Sequence, residues 1–226
     1  MSFANKDNTL VIVPIYNSME HLDQLFREIS SYIPLNQIIA VDDGSSDQSS
    51  ALCENAGVRL ISFKKNKGKG AALKAGFEYA IQNAFEFAFT IDSDLQHSPH
   101  SIPRFFRKQN YTMADLLIGK RDFSFRKMPF MRILSNSITS AIVSLISGQK
   151  VYDSQCGYRL YRLDKLRNLH IHSDRYQYET EIILKMSNHL CKIDYVSIAT
   201  IYNGEVSYIR SFRDIMNFIK VIFRHI

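Results

Sequence analysis

Cysteine is scarce in this chain: Cys53, Cys156 and Cys191 are the only three among 226 residues, and no two share a CxxC spacing. An odd, scattered set supports neither a disulfide framework nor a zinc site, and points to a reducing compartment. With 5 prolines and 9 glycines, no stretch is long or biased enough to act as a linker. No internal repeat is present. The longest mostly apolar run, ITSAIVSLISG at 138–148, is too short to span a bilayer. The opening MSFANKDNTL lacks the basic and apolar regions of a signal peptide. These absences point to a cytoplasmic chain, soluble or peripheral on the membrane's inner face.

What is present describes a globular protein. Hydrophobic residues make up 46 % and charged residues 22 %. The length suits one domain, which buries roughly 70 % of its unfolded surface. Lys and Arg number 28 against 22 Asp and Glu, a formal charge of +6. That balance favours an anionic partner: nucleic acid, a phosphorylated small molecule or a membrane surface. Residues 120–132, KRDFSFRKMPFMR, concentrate Lys120, Arg121, Arg126, Lys127 and Arg132 against Asp122 alone. A solvated surface face is the ordinary account of such a run.

The first 95 residues alternate apolar runs with helical patterns. Leu10–Pro14 predicts a strand, followed by a helix from about Ser18 with Leu22, Leu25, Phe26 and Ile29 at helical spacing. A second strand at Gln37–Val41 stops at Asp42-Asp43-Gly44-Ser45, and a Ser- and Ala-rich helix follows. A third strand is expected over 58–62, a helix over 70–83 and a fourth strand over 85–91. Strands apolar on both faces and separated by helices predict a parallel sheet with helices on each side. Ligands of such sheets bind at the carboxyl ends of the strands. That rule gathers Pro14 to Asn17, Asp42 to Ser46 and Asp92 to Gln96 in one crevice. Gly68 and Gly70 in NKGKGAALKAG precede a helix whose N–H groups are suited to face a phosphate.

The segment FTIDSDLQHSP, 89–99, places Asp92 and Asp94 one residue apart directly after an apolar run. On an extended strand end, side chains at i and i+2 point the same way. Two carboxylates held together are destabilising unless a proton or cation lies between them. Mg2+ or Mn2+ coordinates carboxylate oxygens and leaves positions for substrate phosphates, and Gln96 offers a further amide oxygen. The bland alternative makes both acids caps for a helix beginning near Pro99. Asp42 and Asp43 have their own alternatives, turn chemistry and capping, or acceptance from a nucleobase N–H or a ribose hydroxyl.

In order along the chain, VIVPIYN, VDDGSSD, NKGKGAAL, TIDSDLQH and DSQCGYRLY resemble the motifs of family 2 glycosyltransferases. The resemblance covers about residues 9–210. It implies a GT-A fold, a Rossmann-like, mixed but mostly parallel sheet with helices on both faces. It is strongest to dolichyl- and polyprenyl-phosphate mannose and glucose synthases. The resemblance places Pro14, Tyr16, Asn17, Asp42, Asp43, Gly44, Lys69, Gly70, Asp92 and Ser93 around a nucleotide-sugar donor, UDP- or GDP-linked. It assigns Asp92, Asp94 and Gln96 to the metal, with Asp94 also in the catalytic group. Arg121 and Arg132 resemble phosphate-binding arginines, and Asp153, Gln155 and Arg159 fall where the acceptor side closes. Glu179 and Glu181 resemble the position of a catalytic base in relatives with hydroxyl acceptors. Helix residues two apart do not share a face, and an exposed helix charge is the commoner reading of either.

A polyprenyl-phosphate nucleophile is already ionised at neutral pH and needs no strong base, whereas a sugar hydroxyl does. Two stretches favour the lipid. One, 123–148, combines Arg126, Lys127 and Arg132 with Phe123, Phe125, Met128, Phe130 and Met131. The other, 210–226, places Ile215, Phe218, Ile219, Ile222 and Phe223 on one helical stripe. Basic, aromatic amphipathic helices suit an anionic bilayer; the alternative is that both stripes pack as core. YNGEVSYI departs from the family's glycine-rich ending by inserting Val206 and placing Tyr208 where a basic residue is usual. DSQCGYR is nearer the glucose-synthase type and favours UDP-glucose over GDP-mannose.

The expected activity is therefore inverting, metal-dependent hexosyl transfer to polyprenyl phosphate, with Mg2+ or Mn2+. Transfer to a sugar hydroxyl is the second reading, and a pyrophosphate-releasing nucleotidyltransferase a third from another class. A nucleic-acid partner is not expected, because acids at every strand end repel a phosphate backbone.

Overall fold

The structure is a computed structural model that describes residues 2–121, 130–199 and 212–224, with the helical backbone alone for 130–135 and 212–215. Its strands are β1 (Thr9–Ile15), β2 (Ile38–Asp42), β3 (Arg59–Ser62), β4 (Phe87–Thr90), β5 (Leu116–Arg121), β6 (Arg159–Arg162) and β7 (Ile193–Ile198). They form one sheet in the order β3-β2-β1-β4-β6-β5-β7. β1 pairs parallel with β2 and β4, β2 with β3, and β5 with β7, while β6 runs antiparallel to β4 and β5. The sheet is mixed and mostly parallel, as expected. The helices are α1 (Met19–Ser30), α2 (Ser49–Asn55), α3 (Lys69–Gln82), α4 (Ile102–Thr112), α5 (Phe130–Ser147), α6 (Leu163–Leu166), α7 (Tyr178–Asn188) and α8 (Phe212–Phe223).

Every residue of β1, β2 and β4 is buried, which is why these segments read as unbroken apolar runs. β3 departs from that pattern: it lies at the sheet edge and all four of its residues keep some exposure. β4 is shorter than the apolar run suggests. Phe85 donates its N–H to Ala80 O and Ala84 turns at φ 59, so the run's first residues complete the end of α3. From β1 the chain goes first to β2 on one side and later to β4 on the other. This reversal opens a crevice at the carboxyl ends of the strands, where the loops after β1, β2 and β4 meet. Behind it, the rings of Phe89, Phe105 and Tyr158 meet edge to face at centroid distances of 4.8 to 5.1 Å. Tyr158 also donates its hydroxyl to Ser98 O at 3.0 Å, bracing the acidic loop from below.

The apolar stripe of α8 divides between core and solvent. Val221 and Ile222 are buried and Phe218 packs against the core, whereas Met216, Ile219 and Phe223 are exposed. The side chain of Ile215 and residues 123–129 lie outside the described positions, as do Val206 and Tyr208. Among the described residues no helix is long and apolar enough to cross a membrane.

Candidate active site

The acidic loop leaves β4 at Thr90, and Leu95 turns at φ 55. Asp92 and Asp94 therefore sit on a turn rather than on an extended strand, which corrects the alternation argument. Their charges are met separately. Asp94 Oδ1 accepts the Gln96 N–H at 3.0 Å, and Asp92 Oδ1 lies 2.6 Å from Lys69 Nζ. The Lys69 ammonium reaches Glu179 Oε1 at 2.7 Å as well. Burial pushes Asp92 up, but the adjacent ammonium outweighs it and holds the carboxyl below its usual range. Burial likewise disfavours the charged Lys69, and the two carboxylates more than reverse that, raising it.

The loops after β1, β2 and β4 are tied together. Asn17 donates its N–H to Ser45 Oγ at 2.9 Å and accepts the Ser46 N–H at 2.8 Å on Oδ1. The Ser18 and Ser93 hydroxyls lie 2.8 Å apart. Tyr16 stands exposed at the rim. Asp42 and Asp43 are both buried. Asp42 accepts from the Ser45 N–H, the Ser45 hydroxyl and the Ser50 hydroxyl. Asp43 accepts the N–H groups of Lys67 and Gly68 at 2.7 and 2.8 Å. Both acids organise loops, and Gly44, at φ 78, turns the chain between them and Ser45. Pro14 is buried inside β1 opposite Val41.

Several sequence expectations are corrected by placement. The start of α3 is not an open phosphate cradle: the Ala71 N–H donates to Asp174 O at 3.0 Å. Gly68, at φ 109, and Gly70 are small because that chain crosses them. A Cβ on Gly68 would meet Asp174 O at 2.4 Å, and one on Gly70 would meet Tyr178 Cβ at 2.8 Å. Arg159 does not face an acceptor. It is fully buried and donates to the carbonyls of Cys156, Ser154 and Glu179 at 2.6 to 2.9 Å. Neither glutamate is an exposed helix charge. Glu181 is buried and accepts from the N–H groups of His172 and Ser173 and from the Ser173 hydroxyl. Burial raises its pKa, and these bonds more than offset that, leaving it lowered.

Asp153 is fully buried and takes Arg121 in a two-pronged pair, with Nε to Oδ2 at 2.6 Å and Nη2 to Oδ1 at 2.9 Å. The Gln155 N–H adds a third bond at 3.2 Å. The Arg132 side chain lies outside the described residues. Sequence reasoning passed over His97 and Gly157; the only local signal was their place inside the motifs TIDSDLQH and DSQCGYRLY.

Burial, with Arg121 nearby, pushes His97 down from 6.5 to about 4. The folded chain thus holds a neutral imidazole where the unfolded chain takes up a proton. This contribution is complete above the unfolded value and is lost as pH falls from about 6.5 towards 4. Unfolding free energy is expected to drop by on the order of 3 kcal/mol across that window. Urea titrations at a series of pH values check this, and His97→Gln should remove that part of the slope.

The residues fit a hard divalent ion by donor chemistry. Asp92, Asp94 and Gln96 offer oxygen donors, the set Mg2+ and Mn2+ prefer. Among the described residues no group of three or more His, Cys, Asp or Glu is placed to hold a metal by itself.

Comparison with known proteins follows this geometry. The family model described as "Glycosyl transferase family 2" matches residues 10–170. An uncharacterized protein of Methanocaldococcus jannaschii is 30% identical over 225 residues, covering 97% of this chain and 91% of its own length. Polyprenol monophosphomannose synthase of Mycolicibacterium smegmatis is 29% identical over 170 residues, 71% of this chain and 64% of its own. Undecaprenyl-phosphate 4-deoxy-4-formamido-L-arabinose transferase of Proteus mirabilis is 32% identical over 173 residues, 71% of this chain and 51% of its own. The chain thus spans about half to two thirds of those two named transferases. Glucosyl-3-phosphoglycerate synthase from Mycobacterium tuberculosis, solved with Mn2+, UDP and glucosyl-3-phosphoglycerate, superposes with a TM-score of 0.75 at 16% identity. The match covers 96% of this chain and 79% of that one, and at such identity it is a likeness of fold.

Proposed function

The chain belongs to glycosyl transferase family 2 and is a glycosyltransferase of GT-A fold, and from that premise we propose that it moves a hexose from a UDP- or GDP-sugar to a polyprenyl phosphate at a membrane surface. The observation that carries the reading is the state of the candidate bases. Asp153 is held by Arg121, Glu179 by Lys69, and Glu181 by residues 172–173. Commitment of all three of these candidate bases among the described residues suits an acceptor that arrives ionised. A phosphate oxygen of the acceptor attacks the anomeric carbon, the bond to the donor diphosphate breaks, and its electron pair leaves with the nucleoside diphosphate. Arg121, held in plane by Asp153, is suited to orient the acceptor phosphate, a role shared with Arg132. Asp92, Asp94 and Gln96 would hold Mg2+ or Mn2+, which would stabilise charge on the leaving diphosphate.

The surface next to Arg121 supports a bilayer location. Lys120 and Lys150 lie 4.2 and 4.8 Å from the Tyr152 ring, whose edge meets Tyr195. Beyond Tyr195, Arg104, Arg107 and Lys108 line a cleft of about 270 Å³. Cations interleaved with exposed tyrosine suit an anionic headgroup layer. Neutralising Lys120 and Lys150 together by Gln is expected to weaken binding to phosphatidylglycerol vesicles about thirtyfold, at about 1 kcal/mol per lysine. Vesicle sedimentation checks this, with phosphatidylcholine vesicles as the arm that should not respond.

The direct test supplies UDP- and GDP-hexoses with Mn2+ and polyprenyl phosphate in vesicles. Lipid-linked sugar and free nucleoside diphosphate are expected, with UDP-glucose the preferred donor. Equal turnover on soluble sugars would instead establish a hydroxyl acceptor, and release of pyrophosphate would end the reading.

A further inference from the structure

We infer that Glu179 is a positioning residue for the metal-binding pair, acting through Lys69 rather than on the acceptor. The inference rests on the metal reading of Asp92, Asp94 and Gln96 and assigns Glu179 its part in it. Glu179 and Lys69 are 110 positions apart, yet Oε1 and Nζ meet at 2.7 Å, and the same Nζ is 2.6 Å from Asp92 Oδ1. The three groups are stacked in depth. The Glu179 side chain is 5% exposed and that of Asp92 25%, so Asp92 faces the crevice and Glu179 stands behind the ammonium.

The backing is rigid. A Cβ on Gly157 would lie 2.6 Å from Asp92 Oδ2, 2.7 Å from Lys69 Nζ and 2.8 Å from Glu179 Oε1. The absence of a side chain there lets all three polar groups close on one backbone point. Arg159 Nη1 donates to Glu179 O at 2.8 Å, fixing the start of α7. The Ala71 N–H on Asp174 O ties the start of α3 to the chain just before α7. Lys69 and Glu179 are thus held from both helices.

The chemical consequence concerns Asp92. An ammonium paired with Asp92 alone competes with a divalent ion for that carboxylate. Shared with Glu179, the ammonium divides its charge between two carboxylates, and Asp92 keeps more of its negative charge for the ion. Glu179 is in turn spent on this pair and is not available to take a proton from an acceptor.

The test is Glu179→Gln in the full chain, titrated with Mn2+ alone and followed by the paramagnetic resonance of free Mn2+. Affinity is expected to fall about tenfold, the scale of one charge-assisted hydrogen bond. At saturating Mn2+, kcat should stay within about threefold of the unaltered enzyme. In a Lys69→Met background the same substitution should change Mn2+ affinity by less than about twofold, since no ammonium remains to be held. Should that background not fold, Lys69→Arg is the second arm, and it should retain Mn2+ affinity within about threefold because the shared cation persists. A kcat loss of about a hundredfold with unchanged Mn2+ affinity would make Glu179 the base and overturn the inference. So would a melting temperature that falls while Mn2+ affinity and kcat both hold. Failure of the unaltered chain to bind Mn2+ either alone or with UDP present is a separate result, and it would sink the metal reading itself.

Discussion

Asp94→Asn is expected to lower kcat/KM by about a thousandfold while leaving the melting temperature within about two degrees. The asparagine keeps an oxygen for the Gln96 N–H that Asp94 Oδ1 now accepts at 3.0 Å, so the turn retains its internal bond. What it removes is a negative charge from the pair assigned to the metal. A bound divalent ion contributes several kcal/mol to stabilising a leaving diphosphate, and about 4 kcal/mol corresponds to that thousandfold loss. Steady-state rates over a range of Mn2+ concentrations check it, with a thermal melt as the control on folding. Undiminished turnover at low Mn2+ would leave the acidic turn with a structural role only. The neighbouring Asp92 makes a poorer probe, because its loss would also strand Lys69 and Glu179.

The second large effect is on stability. Arg159→Met should cost about 3 to 5 kcal/mol of unfolding free energy, the range for breaking a buried charged network. The side chain is wholly buried and satisfies the carbonyls of Cys156, Ser154 and Glu179. A thioether fills similar space but leaves those three acceptors without a donor. Domains of ordinary stability have about 5 to 15 kcal/mol in total, so the variant should unfold at a much lower urea concentration. A variant of normal stability that fails only with the lipid acceptor would restore the ligand-contact role implied by the family motif.

The two arginines of the acceptor-side motifs show how sequence and structure divide the problem. Arg121 and Arg159 both lie in segments matching family motifs, and nothing local separates them. In the fold, Arg121 ends β5 at the crevice and meets Asp153, while Arg159 begins β6 and points into packed backbone. The antiparallel insertion of β6 between β4 and β5 decides this, and a strand's direction in a sheet is not written in its own residues. Glu179 and Glu181 divide likewise. Their spacing in the helix predicts different faces, but not that one face meets Lys69 and the other residues 172–173.

By itself the sequence determined the parallel half of the sheet, because β1, β2 and β4 are buried on both faces and their composition must say so. It also determined where the crevice opens, since the polar turns at Asn17, Asp42 and Asp92 follow those runs directly. Local chemistry and short periodicities carry that much. Only the tertiary structure decided which charges meet. The cation answering Asp92 comes from 23 positions away, since Lys69 and Asp92 are numbered so, and the acid behind it from 110 beyond Lys69. Partners so distant are chosen by strand order and helix packing, and both depend on the whole chain's burial rather than on any one segment.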